Sequence, residues 1–431
     1  MMRRLPGALL IVGTLLAACS PSAMPEGELA TAEATAEATS EPEINVSILP
    51  GDADVNPPDP ITLRIWLPEP LAPVDREDAA ELLSELISGF LAQNPGLSID
   101  LRLKRPGDEG GVLETIRSAS AVAPDALPDV TLLRRADLVT AAEGGYLEPM
   151  QDAAILALLD GMPTAGIHLG RVDDQTFGIP YALDLWHTAY AAELIESTAL
   201  IDTIAGAGIP FVFPANRPAP AMELLIAQVI SADGVFGADG LISIDRNALT
   251  RLFSFYAEGA RAGWISPNVL TYADPSAYAD MLLSQEAIGV VNAHTYQEWV
   301  ARGSRLSAGE LPTLDGTPST VVDGWVWVMV TGDADRQAAV VRLISWMMEI
   351  HRQNEYTELL YFLPSSRSAL ALREDAVYVA LIESLWANAT VPLGSGSPAG
   401  RALQTALIDV INQGLSAEAA AREVLLLAGS G

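Results

Sequence analysis

The hydrophobic and polar positions of this chain follow two different spacings from residue 61 onward. Residues 61–65 and 99–103 alternate between apolar and polar side chains, which is the pattern of a half-buried β-strand. Between them, six apolar residues recur at helical spacing, namely Leu82, Leu83, Leu86, Ile87, Phe90 and Leu91. Residues 94–96 (Asn-Pro-Gly) end that helix. This order predicts two parallel strands joined by a right-handed crossover, so we expect an α/β fold.

The alternation of strands and helices continues towards the C-terminus. Further elements are predicted as strands at 130–133, 287–291 and 325–330 and as helices at 113–121, 337–350 and 402–411. Half of the 431 residues are hydrophobic, which is enough to build a sizeable core. The length predicts roughly two or three domains.

The N-terminal residues have the pattern of a bacterial lipoprotein signal peptide. Arg3 and Arg4 precede an apolar stretch, residues 5–16, that is too short to span a bilayer as a mature helix. Two alanines then precede Cys19, whose thiol can take a diacylglycerol. We therefore expect residues 1–18 to be removed and Cys19 to anchor the protein by lipid outside the cytoplasm. An ordinary secretory signal with an incidental cysteine is the alternative.

Residues 19–60 are predicted to hold the lipidated cysteine and a disordered tether. They are rich in Ala, Thr, Glu, Pro and Ser, and residues 31–39 repeat Thr-Ala-Glu-Ala. Such a segment has too few apolar side chains to form a core. A flexible tether of this length would let the folded part reach a partner in the membrane.

Charge and cysteine content restrict the possible partners. The formal net charge is −31, from 55 acidic and 24 basic residues, and Lys104 is the sole lysine. Nucleic acid is therefore not expected as a partner. Solubility explains the acidity more simply than the steering of cationic ligands, although both stay open. Because Cys19 is the sole cysteine, no disulfide is expected.

The residues that catalysis or metal binding would need are sparse. Four histidines are scattered along the chain, at 168, 187, 294 and 351, and no paired metal-ligand motif or Gly-x-Ser-x-Gly elbow is present. We therefore expect no enzymatic activity, no metal and no cofactor. A glycosidase that uses two carboxylates stays open as an alternative, because two distant acids can meet across a cleft.

A series of short segments follows a recognisable order along the folded part of the chain. These segments are residues 65–66, 90–96, 128–130, 144–150, 177–184, Asn292, 324–325 and 363–369. Through them the chain, from residue 61 to the C-terminus, resembles the extracellular solute-binding proteins of ABC importers, the family that includes maltose-binding and other sugar-binding lipoproteins. The order and spacing of the segments carry this resemblance more than any one of them.

The resemblance implies a two-lobed periplasmic-binding-protein-like fold with hinge segments that cross between the lobes. Lobe 1 would take residues 61–182 plus 321–370, and lobe 2 would take residues 183–320 plus 371–431. The hinges would lie near residues 182–183, 320–321 and 370–371. Ligand would bind in the cleft, and the lobes would close over it.

Ligand contacts in such folds come from loops at the ends of strands. On that basis the predicted ligand-binding residues are Glu69, Arg134, Arg135, Asp137, Asp184, Trp186, Asn292, His294 and Trp325. Carboxylates and guanidinium groups suit the hydroxyl pairs of a sugar, or a charged group of another solute, and tryptophan faces suit sugar rings. Solvated loop charges and, for Asp184, a helix-cap or hinge hydrogen bond are the competing interpretations.

Two further features limit the prediction of the substrate. Trp325, Trp327 and Met329 share one face of a strand, so at least one of them is expected in the core. After Tyr190 the chain departs from the sugar-binding pattern, and after Asn292 it lacks the aromatic that relatives commonly have. The fold tolerates such changes, but the identity of the solute does not transfer.

The resemblance implies a monomeric, lipid-anchored protein that delivers a small solute, expected to be a carbohydrate, to ABC permease subunits in the membrane. A tethered sensor that presents its ligand to a membrane receptor would use the same fold and cleft. The sequence therefore leaves transport and sensing open.

Overall fold

The computed structural model describes residues 61–72, 76–105, 110–216 and 222–430. The predicted signal peptide, Cys19 and the predicted tether lie outside these residues. Within the described ranges, none of the helices has both the length and the apolar character needed to cross a membrane.

The strands are numbered along the chain. They are β1 (Ile61–Pro68), β2 (Leu97–Lys104), β3 (Val130–Leu133), β4 (Arg171–Val172), β5 (Gln175–Thr176), β6 (Gly178–Tyr190), β7 (Phe211–Val212), β8 (Val235–Phe236), β9 (Ile242–Ser243), β10 (Ile288–Asn292), β11 (Ser307–Gly309), β12 (Thr320–Met329), β13 (Leu363–Pro364) and β14 (Ala389–Thr390).

The α-helices are α1 (Glu77–Gln93), α2 (Val112–Val122), α3 (Arg135–Glu143), α4 (Ala153–Ala157), α5 (Thr164–Leu169), α6 (Ile201–Ala207), α7 (Glu223–Ser231), α8 (Arg246–Ala262), α9 (Ala279–Leu283), α10 (Ala293–Ala301), α11 (Ala334–Met347), α12 (Ile350–Leu359), α13 (Arg367–Leu370), α14 (Ala376–Ala387), α15 (Pro398–Gln413) and α16 (Ala417–Ala428). Short 3-10 helices cover Glu69–Leu71, Pro124–Ala126, Pro267–Thr271 and Pro275–Tyr278.

A mixed sheet runs through the structure in the order β2-β1-β3-β12-β6-β10-β7. β1 pairs in parallel with β2, as the strand–helix–strand pattern predicted, and on its other side it pairs in parallel with β3. β12 is antiparallel to β3 and β6, and β10 is antiparallel to β6 but parallel to β7. The α/β fold expected from the sequence is therefore confirmed.

Strand β6 joins two parts of this sheet. Its residues up to Leu185 pair with β12, whereas its residues from Trp186 onward pair with β10. Every residue of β6 is buried, which explains why its sequence lacks the alternation of a half-exposed strand. The predicted hinge at 182–183 lies within β6, and the hinge at 320–321 lies at the start of β12.

Two large apolar clusters pack on different parts of the chain. One gathers residues between 63 and 182 and between 325 and 362. The other gathers residues between 186 and 321 and between 399 and 428. A third cluster includes Trp66, Leu183 and Trp386, which lie on both sides of the predicted lobe boundaries, so these boundaries stay a prediction.

One predicted helix is wrong in its extent. The pattern over residues 337–350 predicted a single helix, but α11 ends at Met347 and α12 begins at Ile350. The side chain of Glu349 accepts hydrogen bonds from the backbone N–H groups of His351 and Arg352. This cap starts a new helix, because it satisfies N–H groups that have no partner within their own helix.

His187 makes the stability of the fold depend on pH. The ring is fully buried in β6, where Nδ1 donates to the Thr188 carbonyl over 2.9 Å and Nε2 accepts from the Tyr378 hydroxyl over 3.1 Å. Burial lowers the pKa of His187 from 6.5 to about 4. Between these values the unfolded chain binds a proton that the folded chain does not. The contribution of His187 is therefore fully present above pH 6.5 and is lost as the pH falls towards 4.

We expect this histidine to contribute about 3 kcal/mol to the fall in unfolding free energy between pH 6.5 and pH 4. Urea denaturation across this range should show a shallower pH dependence for His187→Gln than for the unsubstituted protein. The matched control is His351→Gln, because that side chain is exposed on α12. Parallel pH profiles for His187→Gln and the unsubstituted protein would contradict the prediction.

Candidate functional site

A cavity of about 360 Å³ lies beside the pairing of β6 with β12 and β10. Four of the residues predicted from the sequence line it, namely Arg134, Asp184, Trp186 and Asn292. They come from different elements. Arg134 follows β3, Asp184 and Trp186 belong to β6, and Asn292 ends β10. The fold therefore gathers into one cavity residues that are up to 158 positions apart.

The cavity has two carboxylates on neighbouring strands. The antiparallel register of β6 and β12 places Asp184 directly opposite Asp323. Opposed residues in such a pair have Cβ atoms about 4.5–5.5 Å apart, and like charges at this distance repel. Arg134 Nη1 lies 3.1 Å from Asp323 Oδ2 and forms a salt bridge with it. A cation therefore offsets part of the repulsion.

Asp184 also connects the cavity to helix α10. Its carboxylate accepts hydrogen bonds from Asn292 Nδ2, at 2.7 Å, and from the backbone N–H of His294, at 3.0 Å. The second donor belongs to the first turn of α10, where the helix dipole favours negative charge. The hydrogen-bonding role considered for Asp184 is thus present, and the residue lines the cavity as well. Its exposed fraction is 8%.

One face of α10 completes the cavity wall. Thr295, Glu298, Trp299 and Arg302 all line it, and their spacing of three and four residues places them on the same side of the helix. Glu298 Oε1 and Arg302 form a salt bridge of 2.7 Å. None of these four residues was predicted from the sequence, although their helical period was visible after Asn292. Trp299, seven residues after Asn292, adds an aromatic side chain to the cavity lining.

Two tryptophans, Trp186 and Trp299, therefore line the cavity. Each is 8% exposed. The other aromatic expected from the sequence to bind ligand, Trp325, is 5% exposed and packs in an apolar cluster together with Trp327 and Met329. The Arg134 guanidinium lies over the Trp325 ring, with 5.1 Å between Cζ and the ring centroid. Trp325 thus lies beneath a cavity residue and is not among the residues that line the cavity.

Further acidic residues of the cavity had no local sequence signal. Glu223, in the first turn of α7, is 6% exposed. Asp274 caps a 3-10 helix by accepting a hydrogen bond from the Ser276 backbone N–H over 2.9 Å. These acids and Asp323 lie far apart in the sequence, so only the tertiary structure brings them together.

Arg135 has a different environment from its neighbour Arg134. Its guanidinium donates to the backbone carbonyls of His168, Leu169 and Arg171, and it does not line the cavity. Burial lowers the pKa of Arg135, and the Asp323 carboxylate opposes this shift. Arg135 therefore adds positive charge near Asp323 while it holds the chain around α5.

The other predicted site residues are also outside the cavity lining. Glu69 is exposed in a 3-10 helix after β1, and Asp137 lies in the first turn of α3. The His294 ring stacks on Phe362 with 4.4 Å between their centroids. Direct ligand contact by these residues stays a prediction. Among the residues that the structure describes, no group of three or more His, Cys, Asp or Glu is placed to hold a metal ion.

The mixed α/β architecture matches solved two-lobed periplasmic binding proteins. MalE from Xanthomonas citri aligns over 85% of this chain and 96% of its own, with a TM-score of 0.67 and 18% identity. MalE from Listeria monocytogenes, solved with maltose, aligns over 86% and 98%, with a TM-score of 0.66 and 13% identity. The GacH receptor of Streptomyces glaucescens, solved unliganded and with acarbose, aligns over 86% and 98%, with a TM-score of 0.62 and 16% identity.

The sequence comparison identifies the family. The model of the bacterial extracellular solute-binding proteins matches residues 85–383, which is more than half of the chain. The chain therefore belongs to this family of binding proteins, and the family implies a location outside the cytoplasm. The resemblance and the fold class predicted from the sequence are both confirmed. No curated protein matches the chain.

The hydrogen bonds of Asp184 lead to a prediction about stability. We expect Asp184→Ala to lower the unfolding free energy by about 1–2 kcal/mol, because two donors lose a charged acceptor while the repulsion from Asp323 is relieved. Urea denaturation measures this loss. Asp184→Asn keeps an acceptor for the His294 N–H and should lose less. If Asp184→Ala were as stable as the unsubstituted protein, the carboxylate would not hold α10 as described.

Proposed function

We propose that this chain is a lipid-anchored protein that binds a carbohydrate outside the cytoplasm and delivers it to the permease subunits of an ABC importer. The observation that carries the proposal is the combination of two tryptophans with carboxylates and guanidinium groups in one cavity of about 360 Å³. The family supports solute binding. The Listeria and Streptomyces structures, whose named ligands are maltose and acarbose, support a sugar as the solute.

A carbohydrate needs both kinds of contact. The C–H face of a sugar ring is apolar and can stack on Trp186 or Trp299, while hydroxyl groups donate to carboxylates and accept from guanidinium or amide groups. Asp184, Asp323 and Asn292 supply such groups in the same cavity. A purely apolar ligand would leave these polar groups without partners, and each buried polar group left unpaired lowers affinity.

Delivery would depend on closure of the lobes. Of the cavity residues, Arg134 and Asp323 belong to predicted lobe 1, whereas Asp184, Trp186 and the α10 face belong to predicted lobe 2. Asp184 and Asp323 are already held side by side by strand pairing, so closure would depend on a sugar that contacts Arg134 and the α10 face together and thereby favours the closed population. Binding and closure require no covalent change in the solute.

A thermal-shift screen of the full-length protein against neutral and amino mono- and oligosaccharides tests carbohydrate binding. A sugar present at 100 times its dissociation constant should stabilise the protein by about 2.7 kcal/mol. We expect Trp299→Leu to weaken binding of that sugar about tenfold, because a stacking face is lost. Trp264→Leu is the matched control, since Trp264 is buried but does not line the cavity.

Two outcomes of this screen contradict the proposal. Absence of stabilisation by every sugar would remove the carbohydrate assignment. Recovery of a hydrolysed sugar after incubation would instead support the glycosidase alternative, because a transport protein releases its solute unchanged.

The lipid anchor is tested at Cys19. We expect Cys19→Ser to abolish labelling of the protein by a radiolabelled fatty acid and to shift it from the membrane fraction to the soluble fraction, because the serine hydroxyl cannot form the thioether. Ser20→Ala is the matched control and should leave both readouts unchanged. Equal labelling of the Cys19→Ser variant would contradict lipidation at this residue.

A further inference from the structure

The charges that line the cavity are strongly unequal. Among the lining residues that the structure describes, two guanidinium groups accompany five carboxylates, which are those of Asp184, Glu223, Asp274, Glu298 and Asp323. These described residues have a formal excess of three negative charges. Arg135 interacts electrostatically with Asp323, and its positive charge reduces the excess without removing it.

Both lining guanidinium groups are already engaged by carboxylates of the same cavity. Arg134 pairs with Asp323 at 3.1 Å, and Arg302 pairs with Glu298 at 2.7 Å. In contrast, Asp184 accepts its hydrogen bonds from an amide side chain and a backbone N–H, which are neutral donors. A ligand therefore meets acidic groups whose charge is not cancelled by these contacts.

Asp274, which also lines the cavity, accepts hydrogen bonds from neutral donors in the same way. Its Oδ1 accepts from the backbone N–H and the hydroxyl of Ser276, both neutral donors. Asp323 adds a buried oxygen, Oδ1, that accepts no hydrogen bond from any residue in the described part of the chain. The opposed pair Asp184 and Asp323 thus concentrates negative charge that a ligand cation would stabilise.

The two cavity tryptophans favour the same ligand group. The face of an indole ring carries negative electrostatic potential and attracts ammonium groups as well as C–H groups. Trp186 and Trp299 line the cavity together with these carboxylates. The tryptophan rings and the acids are independent features of the wall. The rings favour an apolar ring face or a cation, and the acids favour a positive charge. Together they favour a ligand that has both.

We propose that the cavity selects a carbohydrate that bears a protonated amino group over the neutral sugar of the same shape. This inference rests on the proposed carbohydrate binding and specifies its substrate class. The ammonium group binds near the opposed carboxylates, while the sugar ring stacks on a cavity tryptophan.

Isothermal titration calorimetry of the full-length protein with two matched sets of sugars tests the inference. One set is glucose, glucosamine and N-acetylglucosamine, and the other is cellobiose, chitobiose and N,N′-diacetylchitobiose. Within each set the pyranose ring is constant, and the substituent at the second carbon of each ring is a hydroxyl, an ammonium or an acetamido group, of which only the ammonium is charged. In at least one set we expect the amino sugar to bind about tenfold or more tightly than its hydroxyl and acetylated counterparts, which is the factor that one desolvated charge contact supplies.

Charge-neutral variants identify the acids responsible. We expect Glu223→Gln and Asp323→Asn each to reduce the preference for the amino sugar by about threefold or more, because each removes one negative charge from the wall. Asp323→Asn also releases Arg134 from its salt bridge, so agreement between the two variants is the result that assigns the effect to the charge of the wall. Glu423→Gln, on the exposed surface of α16, changes the net charge equally and should leave the preference unchanged.

The remaining outcomes distinguish failure of this inference from failure of the proposed carbohydrate function. Equal binding of neutral and amino sugars would overturn this inference and leave the proposed carbohydrate function standing. A preference for the amino sugar that Glu423→Gln reduces as much as Glu223→Gln would also overturn it, because the effect would then come from the overall charge. Binding of spermidine in the absence of binding by any sugar would overturn both the inference and the carbohydrate function.

Discussion

The antiparallel pairing of β6 with β12 is the constraint on which the candidate site depends. It places Asp184 opposite Asp323 and aligns two strands that are far apart in the sequence. The close approach needs a glycine at position 324, because an added Cβ would lie 2.4 Å from the Ala182 carbonyl oxygen. The same strand β6 then continues to pair with β10, and this brings Asn292 and α10 to the cavity. A change of register by one residue would turn these side chains to the opposite face.

The residues that line the cavity lower the local stability of the fold. Directly opposed aspartates repel each other, and a fold selected for stability alone would avoid them. Here Arg134 supports one carboxylate, and the N-terminus of α10 together with Asn292 supports the other. Polar groups of this kind are a common feature of functional sites, where local rules of stability are relaxed in favour of ligand contacts. The hydrogen bonds of Asp184 therefore hold the start of α10 against β6 and also position a carboxylate in the cavity wall.

Family membership and cavity chemistry support different parts of the functional argument. The family shows that the chain is a bacterial extracellular solute-binding protein, whereas structural neighbours below 20% identity support its fold alone. The substrate class has to be argued from the wall itself, from Trp186, Trp299 and the acidic side chains around them. These features are the basis for proposing a sugar as the solute instead of an apolar compound, and for proposing that the charge of the sugar affects its binding.

The sequence by itself determined the local elements and the family. Alternation and helical spacing located β1, α1 and β2, and an apolar run located β3. Short motifs and positions at the ends of strands led to Asp184, Trp186, Asn292 and Arg134, all of which line the cavity. Tertiary structure alone decided that Trp299 lines it and Trp325 does not, and that Glu223, Asp274 and Asp323 join them. The two-residue alternation of side chains along a strand shows which residues share a face. It does not show whether that face contacts solvent, a cavity or the core. That depends on strand register and on contacts between residues far apart along the chain, which local sequence patterns do not encode.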